Sequence, residues 1–239
     1  MKAIPAALLI CLLTPAGAPA AWALDAAALY GGDLEFEIRR DGRPVGRHTV
    51  HFHHDAAGLR AEAASELTVR FLGIPFYRMR YHSVSDWQDG QLVRLDARTD
   101  DNGTVQEVRA RRDGDLLRIE GSGGSATAPA ALPISDHFNP GVIGTDVLLN
   151  TITGRLNRVQ MIAEARETVE TGGGGPRAAT RYAYRGELEA RVWYDDAGRW
   201  VGLQFQARDG STVRYVCRRC GPTGAVPDHA AGTPLAGPG

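Results

Sequence analysis

Dipeptides of Asp or Asn followed by Gly recur along this chain, and they constrain its fold more than any other feature. These residues accept the positive backbone φ that the tightest β-hairpin turns require. The runs between them alternate apolar and polar residues, as in residues 34–38 and 201–206. A period of two is typical of strands with one buried face, so the sequence predicts a succession of hairpins. The dipeptides are Asp41-Gly42, Asp89-Gly90, Asn102-Gly103, Asp113-Gly114 and Asp209-Gly210.

Many long antiparallel strands in sequence do not stay flat, because a twisted sheet of this size curls. We therefore expect an all-β domain, a large curved antiparallel sheet or open half-barrel of about ten strands. Asn139 can cap a helix that begins at Pro140, which predicts one short helix near residues 140–149. The Gly-rich residues 121–131 are expected to form a flexible loop. Residues 156–170 have a helix-compatible composition, but the glycines and alternating run that follow favour a hairpin.

The N-terminus has the pattern of a cleaved secretory signal peptide. Lys2 precedes a short apolar run, and Ala21-Trp22-Ala23 offers the small-x-small site of signal peptidase. We expect a signal peptide over residues 1–23, a single β-rich domain over 24–220 and a disordered tail over 221–239. Export would place the domain in the periplasm, with no transmembrane segment after cleavage. The near balance of 27 basic and 28 acidic residues argues against a nucleic-acid partner.

Beyond the export signal, the hairpin at residues 34–42, the Trp87-Gln88-Asp89-Gly90 turn, the stretch His137-Phe138-Asn139-Pro140 and the hairpin from Trp193 resemble a family of exported Gram-negative β-sheet proteins with a domain of unknown function. The resemblance covers most of the chain, but it rests on turns and strand residues. Such proteins are similar in build to the lipoprotein-carrier (LolA/LolB-like) group, whose curved, unclosed sheets surround an apolar cavity. The resemblance implies lipid binding by analogy of fold alone, and it supplies no catalytic residue.

Cys217 and Cys220 form a C-x-x-C pair after a strand-like run. An exported protein favours a disulfide between them. A redox pair would normally begin a helix, and a zinc site would need two further ligands, so both remain weaker alternatives.

Histidines cluster in residues 48–54. On a strand His51 and His53 share one face and His48 lies on the other with Val50 and Phe52. His51 and His53 could bind zinc or copper if Glu62 or Glu66 supplied a third ligand from the next strand. A solvated polar face is the favoured interpretation, so we predict no metal and no cofactor.

Ser135-Asp136-His137 contains the residue types of a hydrolytic triad. Adjacent residues cannot form one, because their side chains diverge. We expect His137 and Phe138 to anchor this loop on the sheet, and we predict no catalytic residues.

The apolar stretch of residues 71–77 is the predicted ligand-binding element. Gly73 and Pro75 interrupt a strand pair there, so a turn would carry large apolar side chains that are partly exposed. Exposed apolar clusters mark contact with a ligand or a membrane. The alternative is that the cluster folds back and plugs one end of the sheet. The predicted binding residues are Phe71, Leu72, Ile74, Phe76 and Tyr77.

The leading functional hypothesis is non-enzymatic binding of an apolar or lipid-like ligand in the concave face of the sheet. The alternative is an envelope structural or protein-interaction module without a small-molecule ligand. A metal-dependent enzyme built on the His51/His53 strand is a third, weaker hypothesis.

Overall fold

The computed structural model describes residues 25–172 and 175–222. The predicted signal peptide, residues 1–23, and residues 223–239 of the predicted tail lie outside these ranges. Neither described helix has the length and apolar character needed to cross a membrane.

The protein is all-β, as predicted, and its strands form one antiparallel sheet. The sheet has fourteen strands rather than about ten, because several hairpins turn without an Asp-Gly or Asn-Gly signal. A five-residue helix, α1 (Ala26–Tyr30), precedes them. The strands are β1 (Leu34–Arg40), β2 (Arg43–Asp55), β3 (Gly58–Phe71), β4 (Ile74–Gln88), β5 (Gln91–Asp101), β6 (Thr104–Asp113), β7 (Leu116–Gly121), β8 (Gly124–Pro129), β9 (Val147–Leu149), β10 (Leu156–Val169), β11 (Arg177–Gly186), β12 (Ala190–Asp195), β13 (Trp200–Gln206) and β14 (Thr212–Arg219).

The sheet consists of two meanders that meet at the first and last strands. β1 to β8 follow one another on one side, and β14 to β9 follow on the other, with β1 paired to β14. The sheet does not close into a barrel, since β8 and β9 stand at its opposite edges. Its curvature nevertheless brings these edges close at one end, where the backbone N–H of Gly123 donates to the carbonyl of Thr153 at 2.7 Å.

Three of the predicted turns have the backbone that their residues favour. Asp41-Gly42, Asp89-Gly90 and Asn102-Gly103 each have positive φ at both positions, as a type I′ hairpin turn requires. The turn between β3 and β4 has the same geometry at Leu72-Gly73. Antiparallel order places the β1–β2, β3–β4, β5–β6 and β13–β14 turns at one end of the sheet.

Three local predictions are settled by the structure. The prediction of a flexible loop over residues 121–131 is wrong. Gly124–Pro129 is a strand that pairs with β7, although most of its residues are small. The predicted helix is a single 3-10 turn, Pro140–Val142, capped by Asn139. Val147–Leu149 is a strand, because its pairing with β10 outweighs a weak helical pattern. The hairpin favoured for residues 156–170 is confirmed by the pairing of Leu156–Val169 with β11.

Residues 130–146 connect the two edge strands and pack against the buried face of the sheet. Phe138 is buried, with ring centroids 5.4 Å from Phe52 and 6.2 Å from Trp87. The hydroxyl of Tyr30 donates to the carbonyl of Phe138 at 2.8 Å, and that of Tyr194 donates to the carbonyl of His137 at 3.0 Å. The connection is therefore held by aromatic packing and by hydrogen bonds, as predicted for His137 and Phe138.

Candidate functional site

The concave face of the sheet and the connection after β8 enclose an inner cavity of about 310 Å³. Its wall includes His48 from β2 and Tyr184 from β11, strands that the sheet order separates widely. Curvature of the sheet therefore creates this cavity. Most of the lining side chains are apolar, among them Val50, Leu148 and Leu203.

Polar side chains enter this cavity because inward positions on neighbouring strands carry them. On β4 every second residue points inward, and Tyr81 occupies one of these buried positions and lines the cavity. On β2 and β3 the paired residues His48 and Ser65 are buried together. The result is a small polar group in an apolar wall, the usual composition of a ligand-binding site.

His48 is 8% exposed and is held in place from several sides. Its Nδ1 lies 2.7 Å from Ser65 Oγ, and its ring centroid lies 5.5 Å from those of Trp200 and Tyr215. Burial, with a smaller contribution from His137, lowers the pKa of His48 to about 3. The imidazole is therefore neutral at physiological pH.

His137 approaches the same indole from the connection between β8 and β9. Its ring centroid lies 5.3 Å from that of Trp200, and its Nδ1 lies 3.4 Å from Tyr184 Oη. Burial lowers the pKa of His137 to about 4. Two neutral imidazoles thus contact one tryptophan at the cavity wall.

Asp136 forms a second polar group beside these histidines. Tyr81 Oη lies 3.3 Å from Asp136 Oδ1 and 2.9 Å from Thr151 Oγ1, which is 3.0 Å from Ser135 Oγ. Asp136 Oδ2 is buried without a hydrogen-bond partner in the described part of the chain. Burial raises the pKa of Asp136 to about 6. Ser135, Asp136 and His137 thus contact different partners, and they do not form a triad.

An outer cavity of about 400 Å³ lies next to the turns after β3 and β13. Leu67, Met79 and Phe205 line both cavities, so the two are neighbours along the concave face. Arg40 and Arg208 line only the outer cavity, where they pair with Asp209 and Asp101 respectively.

The predicted binding residues lie at and beyond the outer cavity. Phe76 and Tyr77 line it, and the Tyr77 hydroxyl donates to Asp101 Oδ1 at 2.6 Å. Leu72, Ile74 and Phe76 are 87%, 70% and 74% exposed, so these side chains do not plug the sheet. Phe71 is the last residue of β3 and pairs with Ile74.

The histidines on the outer face of β2 do not converge with the predicted third ligands Glu62 and Glu66. His51 Nδ1 lies 2.7 Å from Asp33 Oδ2, and Glu62, opposite His51 in the β2–β3 register, lies 2.8 Å from His82 Nε2. Glu66 stands opposite Arg47, and His53 stands opposite Arg60. In residues 25–172 and 175–222, no three His, Cys, Asp or Glu side chains form a group that could hold a metal ion.

Cys217 and Cys220 form a disulfide at the end of β14. Both are buried, and Cys217 lies opposite Phe36 in the β1–β14 register. The bond therefore lies where the two meanders join.

Sequence reasoning missed the inner cavity as a polar site. It placed His48 on the inward face but did not connect it with Ser65, Tyr81 or Asp136, which come from other strands and from the connection. One signal was present: the inward positions of β4 read Tyr81, Ser83 and Ser85, where an ordinary apolar core would have only apolar residues.

A family model described as a domain of unknown function, DUF6134, matches residues 36–218, which cover almost the whole sheet. No curated protein matches the chain.

Proposed function

Because the chain belongs to the DUF6134 family, whose description names no activity, we propose a function from its geometry. The protein is exported to the periplasm and binds an apolar or lipid-like molecule in the concave face of its sheet, without catalysing a reaction.

The two adjoining cavities carry this proposal. Protein interiors are close-packed and contain few spaces larger than a water molecule. Cavities of about 310 and 400 Å³ that share three apolar lining residues are of the size that small-molecule sites have. Open, curved sheets around an apolar cavity are also the build of the lipoprotein carriers, to which the family that the sequence resembles is similar in build, and this supports the proposal by analogy only.

The lowered pKa of the buried His48 favours binding over catalysis. A general base works best when its pKa is near the working pH. His48 contacts Ser65 Oγ, but a pKa of about 3 makes its imidazole a weak base at neutral pH. The contact is better suited to holding the two side chains in place than to activating a nucleophile.

A protein-interaction module is the second candidate, and the exposed apolar turn favours it. Leu72 in the β3–β4 turn and Ile74 and Phe76 at the start of β4 are exposed, as a partner surface would be. Phe76 also lines the outer cavity, so this end of the hairpin fits entry of an apolar ligand equally well.

Native mass spectrometry with lipid extraction tests the proposal on protein purified from the periplasm of a Gram-negative host. We expect a reproducible excess mass that extracts as an apolar compound. A clean apo mass, with no uptake when lipids are offered, would overturn it and favour the interaction module.

A further inference from the structure

The inner cavity has a polar end whose chemistry differs from that of the outer cavity. Its lining residues include Asp136 and Glu189 but, in the part of the chain that the structure describes, no arginine or lysine. The arginines Arg40 and Arg208 line the outer cavity alone. An anionic head group would therefore meet only acidic or neutral groups in the inner cavity, and the arginines of the outer cavity are paired with Asp209 and Asp101.

His48 and His137 each have one ring nitrogen, Nε2, that can form a further hydrogen bond. Nδ1 of His48 contacts Ser65 and Nδ1 of His137 contacts Tyr184. The structure records no partner for either Nε2 among residues 25–172 and 175–222. A neutral imidazole has one donor and one acceptor, so each Nε2 can make one further hydrogen bond with a polar atom in the cavity. Both histidines line the inner cavity, so a ligand there lies next to their rings.

The surroundings favour a neutral group on the ligand. Burial keeps His48 and His137 neutral at pH 7.5, whereas Asp136, whose pKa is raised to about 6, is largely ionised at this pH and would repel a ligand carboxylate. The low polarity of the cavity would penalise a carboxylate or an ammonium group on a ligand, and pairing with one carboxylate offsets the cost for an ammonium group only in part. A hydroxyl group avoids this penalty and can both donate to and accept from an imidazole.

We infer that the inner cavity binds the hydroxyl end of a neutral, otherwise apolar molecule beside His48 and His137, with the apolar body extending past Leu67 and Met79 toward the outer cavity. This inference rests on the proposed function. It adds the chemical class of the ligand and its orientation, with the hydroxyl group in the inner cavity and the apolar body toward the outer one.

Displacement of the neutral fluorescent probe N-phenyl-1-naphthylamine from the wild-type protein at pH 7.5 tests the inference. The competitors are 1-decanol, decanoate, decylammonium and decane, which share one chain length. We expect decanol to bind about five- to tenfold more tightly than decane, as one or two net hydrogen bonds would give. Decanoate and decylammonium should bind more weakly than decanol.

The His137→Phe variant locates the effect, because it keeps a ring against Trp200 and removes both nitrogens. It should lower the affinity for decanol about fivefold and leave the affinity for decane within about twofold. Ile162→Ser, an exposed position away from both cavities, should change neither. The wild-type comparison needs no variant, so it stands if His137→Phe does not fold.

The outcomes separate the two proposals. Equal or tighter binding of decanoate or decylammonium than decanol overturns the inference and leaves apolar binding intact. Equal affinity for decanol and decane, or an equal loss of both in His137→Phe, also overturns it. If neither the probe nor any competitor binds, the proposed function itself fails.

Discussion

Leu72 occupies a backbone conformation that leucine rarely adopts. Its φ is 49°, as at Asp41, Asp89 and Asn102 in the corresponding turns. Aspartate and asparagine tolerate this left-handed region, whereas a leucine there is strained by roughly 1–2 kcal/mol. The side chain is also 87% exposed, so it gains little from burial. A strained, exposed apolar residue at the tip of a hairpin that lines the outer cavity fits a role in binding rather than folding.

Replacing Leu72 with asparagine should therefore stabilise the protein. We expect Leu72→Asn to raise the free energy of unfolding by about 1 kcal/mol, because the turn strain is relieved. Urea denaturation measures the change. Asp89→Leu, which puts leucine at a corresponding exposed position, should lower stability by about the same amount. A loss of stability in Leu72→Asn would mean that this side chain supports the fold.

Three titratable side chains that line the inner cavity make the stability of the protein depend on pH. Folded His48 and His137 stay neutral down to about pH 3 and 4, whereas unfolded histidine takes up a proton near pH 6.5. Stability from these histidines is therefore lost as the pH falls below about 6.5. Folded Asp136 takes up its proton near pH 6, above the unfolded value near 3.9, so it offsets one histidine between these pH values.

We expect the free energy of unfolding to fall as the pH is lowered from 7 to 4. Asp136→Asn should steepen the fall below pH 6 by about 1.4 kcal/mol per pH unit, and His137→Gln should make it shallower by a similar amount. Urea denaturation at each pH unit measures these slopes. Wild type and the two variants have the same surface carboxylates, so the contribution of these groups to the slope cancels when the three slopes are compared. Identical slopes for the three would show that these side chains do not titrate as burial implies.

At the scale of elements, the β3–β4 hairpin connects the predicted binding residues to the cavities. Its inward side chains run from Tyr77 at the outer cavity, through Met79, to Tyr81 at the inner cavity, and the exposed Phe76 beside Tyr77 also lines the outer cavity. One strand thus carries both the exposed apolar turn and part of the polar end. This follows from the period of two, which sends every second residue of β4 to the concave face.

Phe76→Ser should weaken binding of N-phenyl-1-naphthylamine about tenfold, because it removes an apolar side chain that lines the outer cavity. The free energy of unfolding should change by less than about 0.5 kcal/mol, since Phe76 is 74% exposed. Fluorescence titration and urea denaturation measure the two effects. Ile162→Ser is the matched control, with an exposed apolar residue outside both cavities. A large loss of stability with unchanged affinity would assign Phe76 to the fold.

At the scale of the whole molecule, the two edges of the open sheet approach each other at the end that carries the β7–β8 and β9–β10 turns. A Cβ on Gly121 would lie 2.8 Å from the Thr153 carbonyl oxygen and 2.9 Å from Gly154 Cα. Both neighbours are backbone atoms that cannot rotate away. The glycine therefore permits the approach that brings Gly123 N to Thr153 O.

Gly121→Val should force these edges apart. We expect a loss of about 1–3 kcal/mol in the free energy of unfolding and faster amide exchange at residues 122–124 and 150–155, because the Gly123–Thr153 hydrogen bond is disrupted. Hydrogen exchange with mass spectrometry measures the local effect. Ser125→Val, an exposed position on β8, is the control and should leave exchange at residues 150–155 unchanged. The same exchange in Gly121→Val and wild type would contradict the close approach.

The sequence by itself determined the strand class and many of the turns, because both are local. Alternation of single residues fixed the buried face of β1, and Asp89-Gly90 fixed a turn, whatever the rest of the chain did. Local pattern also placed His48 inward and Leu72, Ile74 and Phe76 at a turn. The local pattern did not predict the strands Gly124–Pro129 and Val147–Leu149, because they are extended only through their pairing with β7 and β10.

Only the tertiary structure decided that β1 pairs with β14. This pairing joins the two meanders and so determines where the cavities form. That pairing joins residues about 180 positions apart, and no local signal encodes which distant strands become neighbours. The curvature of the sheet then brings His48, Asp136 and Tyr184 to one wall. Their pKa shifts arise from burial among residues of several strands, so the chemistry of the inner cavity exists only once the sheet has curled around it.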